Sequence, residues 1–210
     1  MLVLRADDLI SERWLGSFGM FFLSKPSTET IRQFIASQQE KPFSSPGAII
    51  DSRETPHGYA EDHHRIELGE GEDVFSRAMS AINRWEMFNI GWIELLWPGA
   101  EIEKGTTVAV LAHHLGFWSL NACRIAIVIN EDGPVRHYGF VYGTLPDHAE
   151  RGQERFTVEW NRGSNKVFYD IFAYSRPNKL LARLGYPFTR ALQGRFARDS
   201  MQAMLRAMSL

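Results

Sequence analysis

The sequence is poor in cysteine, since Cys123 is its single example in 210 residues. One cysteine excludes an intramolecular disulfide and favours a buried, inert thiol in a reducing compartment, so we expect a cytoplasmic protein. The N-terminal residues lack the basic start and apolar core of a secretory signal. The densest early apolar run, residues 14–23, is shorter than the roughly 20 residues that a membrane-spanning helix needs. We therefore expect a soluble chain with no membrane span.

Motifs for common cofactor and nucleophile chemistries are also missing. The chain has no Gly-x-Ser-x-Gly elbow, no Gly-x-Gly-x-x-Gly loop and no paired cysteines. Histidines stand side by side at 63–64 and 113–114, and neighbours on a strand point to opposite faces, which prevents them from sharing a metal ion. We expect neither a metal nor a cofactor. The formal net charge of −2 disfavours a nucleic-acid partner.

What the chain does have is apolar and aromatic residues, at 44% and 12%, enough to build a core and to line a cavity. Six stretches rich in β-branched and aromatic residues follow a predicted amphipathic helix that starts near Asp73, and one strand precedes that helix. A terminal helix closes the chain and is interrupted at Gly185-Tyr186-Pro187. The predicted strands span Tyr59 to Leu68, Phe88 to Trp97, Thr106 to His114, Trp118 to Asn130, Val135 to Thr144, Gln153 to Asn161 and Lys166 to Ser175, and the terminal helix spans Asn178 to Met208.

This element order predicts an α+β domain at residues 59–210. A curved antiparallel sheet of about seven strands cannot bury its concave face alone, so the long C-terminal helix should lie across it and leave a cavity between them. The order resembles the helix-grip fold of START domains, Bet v 1-type birch-pollen allergens and polyketide cyclases. Residues 1–58 are predicted to form an N-terminal appendage with a short helix beginning near Ser27.

The most apolar predicted strand carries one charged residue, Arg124. A guanidinium in such a strand needs a carboxylate or several carbonyls, because an unpaired buried charge costs several kcal/mol, roughly. Asp170, Glu154 and Glu159 are the acidic residues of neighbouring strands that could pair with it. An interior salt bridge that fixes strand register and a ligand-contacting arginine both remain open.

Several dense segments resemble uncharacterised protein family 0548, also called domain of unknown function 1990. They are RWEMFNIGW, GTTVAVLAHHLGFWSLNACRI, GFVYGTLPDH, ERFTVEW and LGYPFTRALQGRFARDS, which begin at residues 84, 105, 139, 154 and 184. The resemblance covers most of residues 59–200 and implies no activity.

The first functional hypothesis is a small, largely apolar or amphipathic ligand held between the sheet and the terminal helix. Aromatic residues would supply the affinity and a few polar groups the orientation. Self-association into a homo-oligomer is compatible with this hypothesis. The expected ligand-binding residues are Arg124, Asp170, Tyr142, Trp118, Glu154 and His114.

Two alternatives stay open. The first is an enzyme of cyclase, dehydratase or hydrolase type in the same cavity, with Tyr142 or a histidine moving a proton and Arg124 stabilising an oxyanion. The second is an interaction module without a pocket, which would use the aromatic residues before residue 50 to bind a partner or a second copy of the chain.

Overall fold

The computed structural model describes residues 21–45, 55–97, 99–178 and 185–209. Within these ranges a single curved antiparallel sheet is crossed on its concave face by the C-terminal helix. The elements are β1 (Phe21–Phe22), α1 (Thr28–Gln38), β2 (Ala60–Glu70), α2 (Glu72–Asn83), a 3₁₀ turn (Glu86–Phe88), β3 (Ile93–Leu96), β4 (Thr107–His114), β5 (Phe117–Glu131), β6 (Val135–Thr144), β7 (Glu150–Asn161), β8 (Lys166–Pro177) and α3 (Tyr186–Ala207).

The sheet has the strand order β2-β8-β7-β6-β5-β4-β3, and the short β1 also pairs with β5. From β3 to β8 each strand pairs with the next one along the chain, whereas β2 pairs with β8 at the far edge. Register shifts lie between Ile125 and Ile127 in β5 and between Glu67 and Gly69 in β2. Such bulges bend a strand and increase its twist, which helps the sheet to curl. The predicted α+β class and helix-grip arrangement are confirmed.

The main core lies on the concave face, between the sheet and the helical elements α2, the 3₁₀ turn and α3. It includes Phe75 and Ile82 from α2, Phe140 and Phe156 from the sheet, and Met204 from α3, all of them buried. The buried residues of α3 lie in its second half, from Ala197 to Ala207. The first half of α3 is therefore the part left over the open region of the concave face.

A second, smaller core lies on the convex face. Ile31, Phe34 and Ile35 of α1 are buried there against Leu111 of β4 and Leu120 of β5. The side chain of Ser27 caps α1 by accepting a hydrogen bond from the Thr30 amide at 3.1 Å, as predicted from the sequence. The short helix of the N-terminal region thus packs directly on the sheet, and the proposed boundary at residue 58 stays a prediction.

Two local predictions differ from the structure, and a third, the first piece of the terminal helix, falls mostly outside the described residues. Gly71 occupies the N-cap of α2, which begins at Glu72, so the helix starts before Asp73. The first part of the strand predicted from Phe88 is a 3₁₀ turn and loop, and β3 begins only at Ile93. Asn178 precedes residues outside the described ranges, and α3 begins at Tyr186 with a proline in its first turn. Among the helices that the structure describes, none has the length and apolar run needed to cross a bilayer.

Candidate functional site

A cavity of about 440 Å³ lies between the concave face of the sheet and the first half of α3. Its walls are mainly apolar, and its volume falls in the range of small-molecule sites, about 300–1,000 Å³. The aromatic and aliphatic lining residues include Phe88, Trp92, Ile93, Val110, Ala112, Ile171, Ala173, Phe188, Leu192 and Phe196.

Two side-chain contacts fasten the first half of α3 to the edge of the sheet. The guanidinium of Arg190 forms a bidentate pair with Asp62 on β2, with Nη2 2.6 Å from Oδ1. Gln193 accepts a hydrogen bond from Arg190 and donates one to Ser175 Oγ on β8, each at 2.8 Å. Bidentate arginine–carboxylate pairs are directional, so they hold this half of α3 over the cavity rather than against the sheet.

The second half of α3 is fastened by two further hydrogen bonds. Trp92 Nε1 donates to Asp199 Oδ2 at 2.8 Å, and the hydroxyls of Tyr169 and Ser200 lie 2.9 Å apart in the core. Contacts in both halves of α3 thus fix its position relative to the sheet, and the cavity lies between the two.

A hydrogen-bonded pair, Tyr142 and Glu154, lies inside the cavity. The two residues are directly opposite each other on β6 and β7, and the Tyr142 hydroxyl donates to Glu154 Oε2 at 2.8 Å. Burial raises the pKa of Glu154 to about 7, although the hydrogen bond from Tyr142 opposes the shift; the nearby Asp62 charge adds to it. Burial and the Glu154 charge raise the pKa of Tyr142 well above its ordinary value. Glu154 is therefore poised between its two protonation states near neutral pH.

A second acid, Glu150, stands on the same face of β7 near one end of the cavity. Burial raises its pKa to about 7, against the opposing effects of Arg190 and a hydrogen bond with Ser175. Beside it, His148 Nδ1 accepts a hydrogen bond from the Glu150 amide at 2.9 Å. Burial lowers the pKa of His148 to about 4, so this imidazole is neutral at physiological pH.

Weaker polar contacts run along another wall, from β4 to the turn before β7. His114 Nε2 lies 3.4 Å from Ser119 Oγ, which accepts from Asn121 Nδ2 at 3.3 Å. Asn121 Oδ1 then accepts from the Ala149 amide at 3.2 Å. Burial lowers the pKa of His114, and the neighbouring His113 lowers it further. This wall offers hydrogen bonds without a permanent charge.

Three of the six residues expected to bind a ligand, Tyr142, Glu154 and His114, line the cavity. Trp118 instead lies on the convex side, where it stacks on His113 with ring centroids 4.3 Å apart and packs against the α1 core. Alternation along β5 places Trp118, Leu120 and Arg124 on one face, and that face turns away from the cavity.

Arg124 belongs to the convex side as well, where it binds the end of α1. Its Nη1 donates to the Lys41 carbonyl at 2.9 Å, and its Nη2 donates to the carbonyls of Gln38, at 2.7 Å, and Gln39. Its Nε donates to Thr107 Oγ1 at 3.2 Å. The guanidinium is thus satisfied mainly by backbone carbonyls. The sequence predicts either several carbonyls or a carboxylate as its partner. The suggested pairing with a carboxylate of a neighbouring strand is wrong, because those strands do not bring an acid to this face beside it.

Asp170 also faces away from the cavity, at the centre of an ion-pair cluster on the convex face. Its carboxylate lies 2.7 Å from His63 Nε2, 3.3 Å from Arg65 Nη1 and 3.2 Å from Arg155 Nη2. Arg65 is shared with Glu159 at 2.6 Å. The side chain of Asp170 is 2% exposed. The two guanidinium groups and the His63 imidazole satisfy its buried carboxylate and leave it unavailable to a ligand in the cavity.

Sequence reasoning missed several polar residues that line or border the cavity, among them Glu150, Asp62, Arg190 and Gln193. Glu150 and Glu154 are four residues apart on one strand and therefore face the same side, which the sequence could have shown. The pair between Asp62 and Arg190 joins residues 128 positions apart, and no local pattern signals such a contact.

The free energy of unfolding should depend on pH through the buried carboxyl group of Glu154. With a folded pKa of about 7 and an ordinary value of 4.5, the folded state keeps a proton that the unfolded state loses, so stability falls as pH rises between these values. In Glu154→Gln we expect the loss of unfolding free energy between pH 5 and pH 8 to shrink by about 2 kcal/mol. Urea unfolding at both pH values measures it. A pH dependence of unfolding in folded Glu154→Gln equal to that of the wild-type chain would contradict the assignment.

The sequence matches one family model and is similar to proteins of three other organisms. A family model described as a domain of unknown function, DUF1990, matches residues 44–203. A UPF0548 protein of Dictyostelium discoideum is 34% identical over 207 residues, covering 90% of this chain and 95% of the relative. A UPF0548 protein of Deinococcus radiodurans is 34% identical over 203 residues, with 90% and 98% covered. One from Arabidopsis thaliana is 29% identical over 160 residues, with 74% and 77% covered.

Solved structures give more distant likenesses. Norcoclaurine synthase of Thalictrum flavum, as a point mutant with a transition-state analogue, has a TM-score of 0.42 at 13% identity, over 73% of this chain and 98% of that one. A hypothetical protein of Helicobacter pylori has a TM-score of 0.43 at 9% identity, over 77% and 96%. The chain named Ara h 8.0201 has 0.39 at 12%, over 72% and 98%. At this level the likenesses carry no argument about ligand or reaction.

Proposed function

This chain belongs to the DUF1990 family, a family defined by sequence and not by a reaction, and we propose on the strength of its cavity that it binds a small, largely apolar ligand. The observation that carries the proposal is the largely apolar cavity between the sheet and α3, with a hydrogen-bonded polar pair, Tyr142 and Glu154, inside it. The absence of a membrane-spanning helix in the described ranges is compatible with this role. Cytoplasmic location and self-association stay predictions.

The walls suit a ligand with an apolar body and one polar group. Burying apolar surface contributes about 25 cal/mol per Å², so aromatic walls such as Phe88 and Phe196 supply most of the binding free energy. The polar pair and the neutral hydrogen-bonding wall from His114 to Asn121 supply orientation. A ligand that satisfies one of these groups gains specificity, because an analogue without its polar group leaves them unpaired.

Binding of an uncharged apolar fluorophore tests the proposal. N-phenyl-1-naphthylamine should bind the wild-type chain with increased fluorescence. Ala173→Trp places a large side chain in the cavity, opposite Glu154 on the neighbouring strand. It should weaken binding at least about tenfold, or 1.4 kcal/mol, because the fluorophore and the indole compete for the same space. Fluorescence titration measures both dissociation constants.

The control introduces the same residue on the surface. Val128→Trp changes a residue of β5 that is 37% exposed and should leave the dissociation constant unchanged. Circular dichroism confirms that both variants fold. Absence of binding to the folded wild-type chain, or equal weakening in the two variants, would refute the cavity as a binding site.

Acid–base catalysis in the same cavity is the second candidate function, favoured by the Tyr142–Glu154 pair. A carboxyl whose pKa is about 7 is suited to accept and return a proton at neutral pH. Arg124 lies on the opposite face and provides no oxyanion stabilisation there. To test this, small molecules that co-purify with Glu154→Gln are extracted and incubated with the wild-type protein. Conversion of such a molecule would establish catalysis, and its recovery unchanged would count against catalysis. The cavity itself gives the pocketless interaction module no support.

A further inference from the structure

Carboxyl groups dominate the charged lining of the cavity. Asp62, Glu150 and Glu154 border it together with the imidazoles of His64, His114 and His148, and no lysine or arginine lines it within the described ranges. Asp62 is neutralised by its bidentate pair with Arg190. Glu150 lies in the field of the same arginine and forms a hydrogen bond with Ser175. Neither Glu150 nor Glu154 forms an ion pair with a described residue, but Arg190 acts on the charge of Glu150 and not on that of Glu154.

Glu154 has bonding capacity left over. Its Oε2 accepts the neutral Tyr142 hydroxyl, and its Oε1 makes no hydrogen bond to any described residue. A carboxylate against apolar walls is costly unless it is paired, and a single neutral donor compensates it only in part. A positively charged ligand would supply a partner for it, whereas a negatively charged ligand would bring a second anion beside it.

The aromatic rings beside this carboxyl also favour a cation. Phe88 and Tyr142 have ring centroids 6.4 Å apart, and Phe88 and Phe196 have centroids 5.4 Å apart. All three line the cavity. Ring faces are electron-rich and attract alkylammonium groups, most strongly where water is excluded. The Glu154 carboxylate and the aromatic rings therefore both favour a positively charged ligand, for independent reasons.

We propose that the cavity binds an organic cation, a protonated amine with an apolar body, whose ammonium group pairs with Glu154 Oε1 while the body packs against Phe88 and Phe196. The inference rests on the proposed function and names the ligand class for it. Fatty acids and other carboxylates are the class that this site rejects.

Three molecules that share one apolar body test the head group: 4-phenylbutylamine, 4-phenylbutanol and 4-phenylbutanoate. Each competes against N-phenyl-1-naphthylamine for the wild-type chain. We expect the amine to bind at least about tenfold more tightly than the alcohol, the size of one hydrogen bond to a charged group, and the carboxylate to bind more weakly than the alcohol.

Glu154→Gln should abolish the preference, because the amide keeps the shape and removes the charge. The amine should then bind no more tightly than the alcohol. Glu159→Gln is the matched control, since Glu159 lies on the opposite face of β7 and pairs with Arg65. It should keep the wild-type preference, which separates loss of the ligand's partner from a general effect of removing a carboxylate.

Affinity for the amine should also depend on pH. The ionisable groups around Glu154 come from every wall of the cavity. They are Asp62 and His64 on β2, His114 on β4, Cys123 on β5, Tyr142 on β6, His148 before β7, Glu150 on β7, Tyr169 on β8, and Arg190 on α3, which Asp62 binds. With the Glu154 pKa at about 7, binding at lower pH must displace a proton. The affinity should therefore fall by up to about tenfold for each pH unit below 7, and Glu154→Gln should reduce this slope to what Glu150 alone contributes.

The outcomes separate the two proposals. If the fluorophore binds but the alcohol or the carboxylate competes as well as the amine, or if none of the three displaces it, the cation preference is overturned and the cavity stands as a binding site. If the fluorophore itself does not bind the folded chain, the proposed function falls and the inference falls with it. Equal loss of preference in Glu154→Gln and Glu159→Gln would likewise overturn the role of Glu154.

Discussion

Asp170→Asn should lower the free energy of unfolding by about 4 kcal/mol, as expected when one partner of a buried ionic cluster is removed. The carboxylate is 2% exposed and contacts Arg65, Arg155 and His63. Asparagine keeps the volume but brings no negative charge, so two guanidinium groups are left close together on one face with less compensation. Arg65 retains its contact with Glu159 at 2.6 Å, which limits the loss. Equilibrium urea unfolding measures the change.

Asp132→Asn is the matched control for this prediction. Asp132 pairs with Arg162 at 2.7 Å, but its side chain is 70% exposed, and solvent-exposed pairs contribute at most about 1 kcal/mol. The control should therefore lie close to the wild-type chain. Binding of N-phenyl-1-naphthylamine to folded Asp170→Asn should match the wild-type value, since Asp170 faces away from the cavity. A similar small change in both variants would show that the cluster does not stabilise the fold.

The strands and their order were predictable because their signals are local. Runs of β-branched and aromatic residues separated by turn residues mark hairpins, and the structure contains them as β4 to β8. The cavity followed from the same order, since a curved sheet needs a covering helix. What the local pattern does not contain is which face of each strand becomes concave.

Arg124 shows how that missing information misled the site prediction. Alternation correctly placed Trp118, Leu120 and Arg124 on one face of β5, but either face could have turned inward. The bulge between Ile125 and Ile127 then shifts the alternation, so the second half of the strand does not continue the same two faces. α1, from a distant part of the chain, covers the face of Arg124. The charge of Arg124 in an apolar strand correctly indicated that it has partners within the protein. Those partners are the backbone carbonyls at the end of α1.

The site was predictable only in part for the same reason. Tyr142 and Glu154 were correctly placed among the lining residues, yet their direct hydrogen bond depends on the register between β6 and β7. The position of α3 depends on the contact between Asp62 on β2 and Arg190 on α3, two elements that are far apart in the sequence. Register and long-range closure are set by tertiary packing and not by local composition.

Arg124→Met should destabilise the protein by about 3 kcal/mol, because the charged hydrogen bonds it removes each contribute about 1.5–3 kcal/mol and are partly replaced by water. The guanidinium satisfies carbonyls at the end of α1, where the partial negative charge of a helix is concentrated. Methionine keeps an apolar body against the sheet and loses those bonds. Urea unfolding should show the loss, and limited proteolysis should cut after α1 sooner, because the end of the helix is no longer held.

Arg124→Lys separates charge from geometry. Lysine keeps the positive charge but offers one ammonium in place of a planar fork that reaches the carbonyls of Gln38 and Lys41 together, so it should recover less than half of the stability lost in Arg124→Met. Arg162→Met removes a more exposed arginine, 45% exposed, and should cost less than about 1 kcal/mol. Full recovery in the lysine variant would show that charge alone matters. Because Arg124 lies on the convex face, folded Arg124→Lys should bind N-phenyl-1-naphthylamine as tightly as the wild-type chain. Weaker binding would show that Arg124 acts on the cavity and would contradict this position.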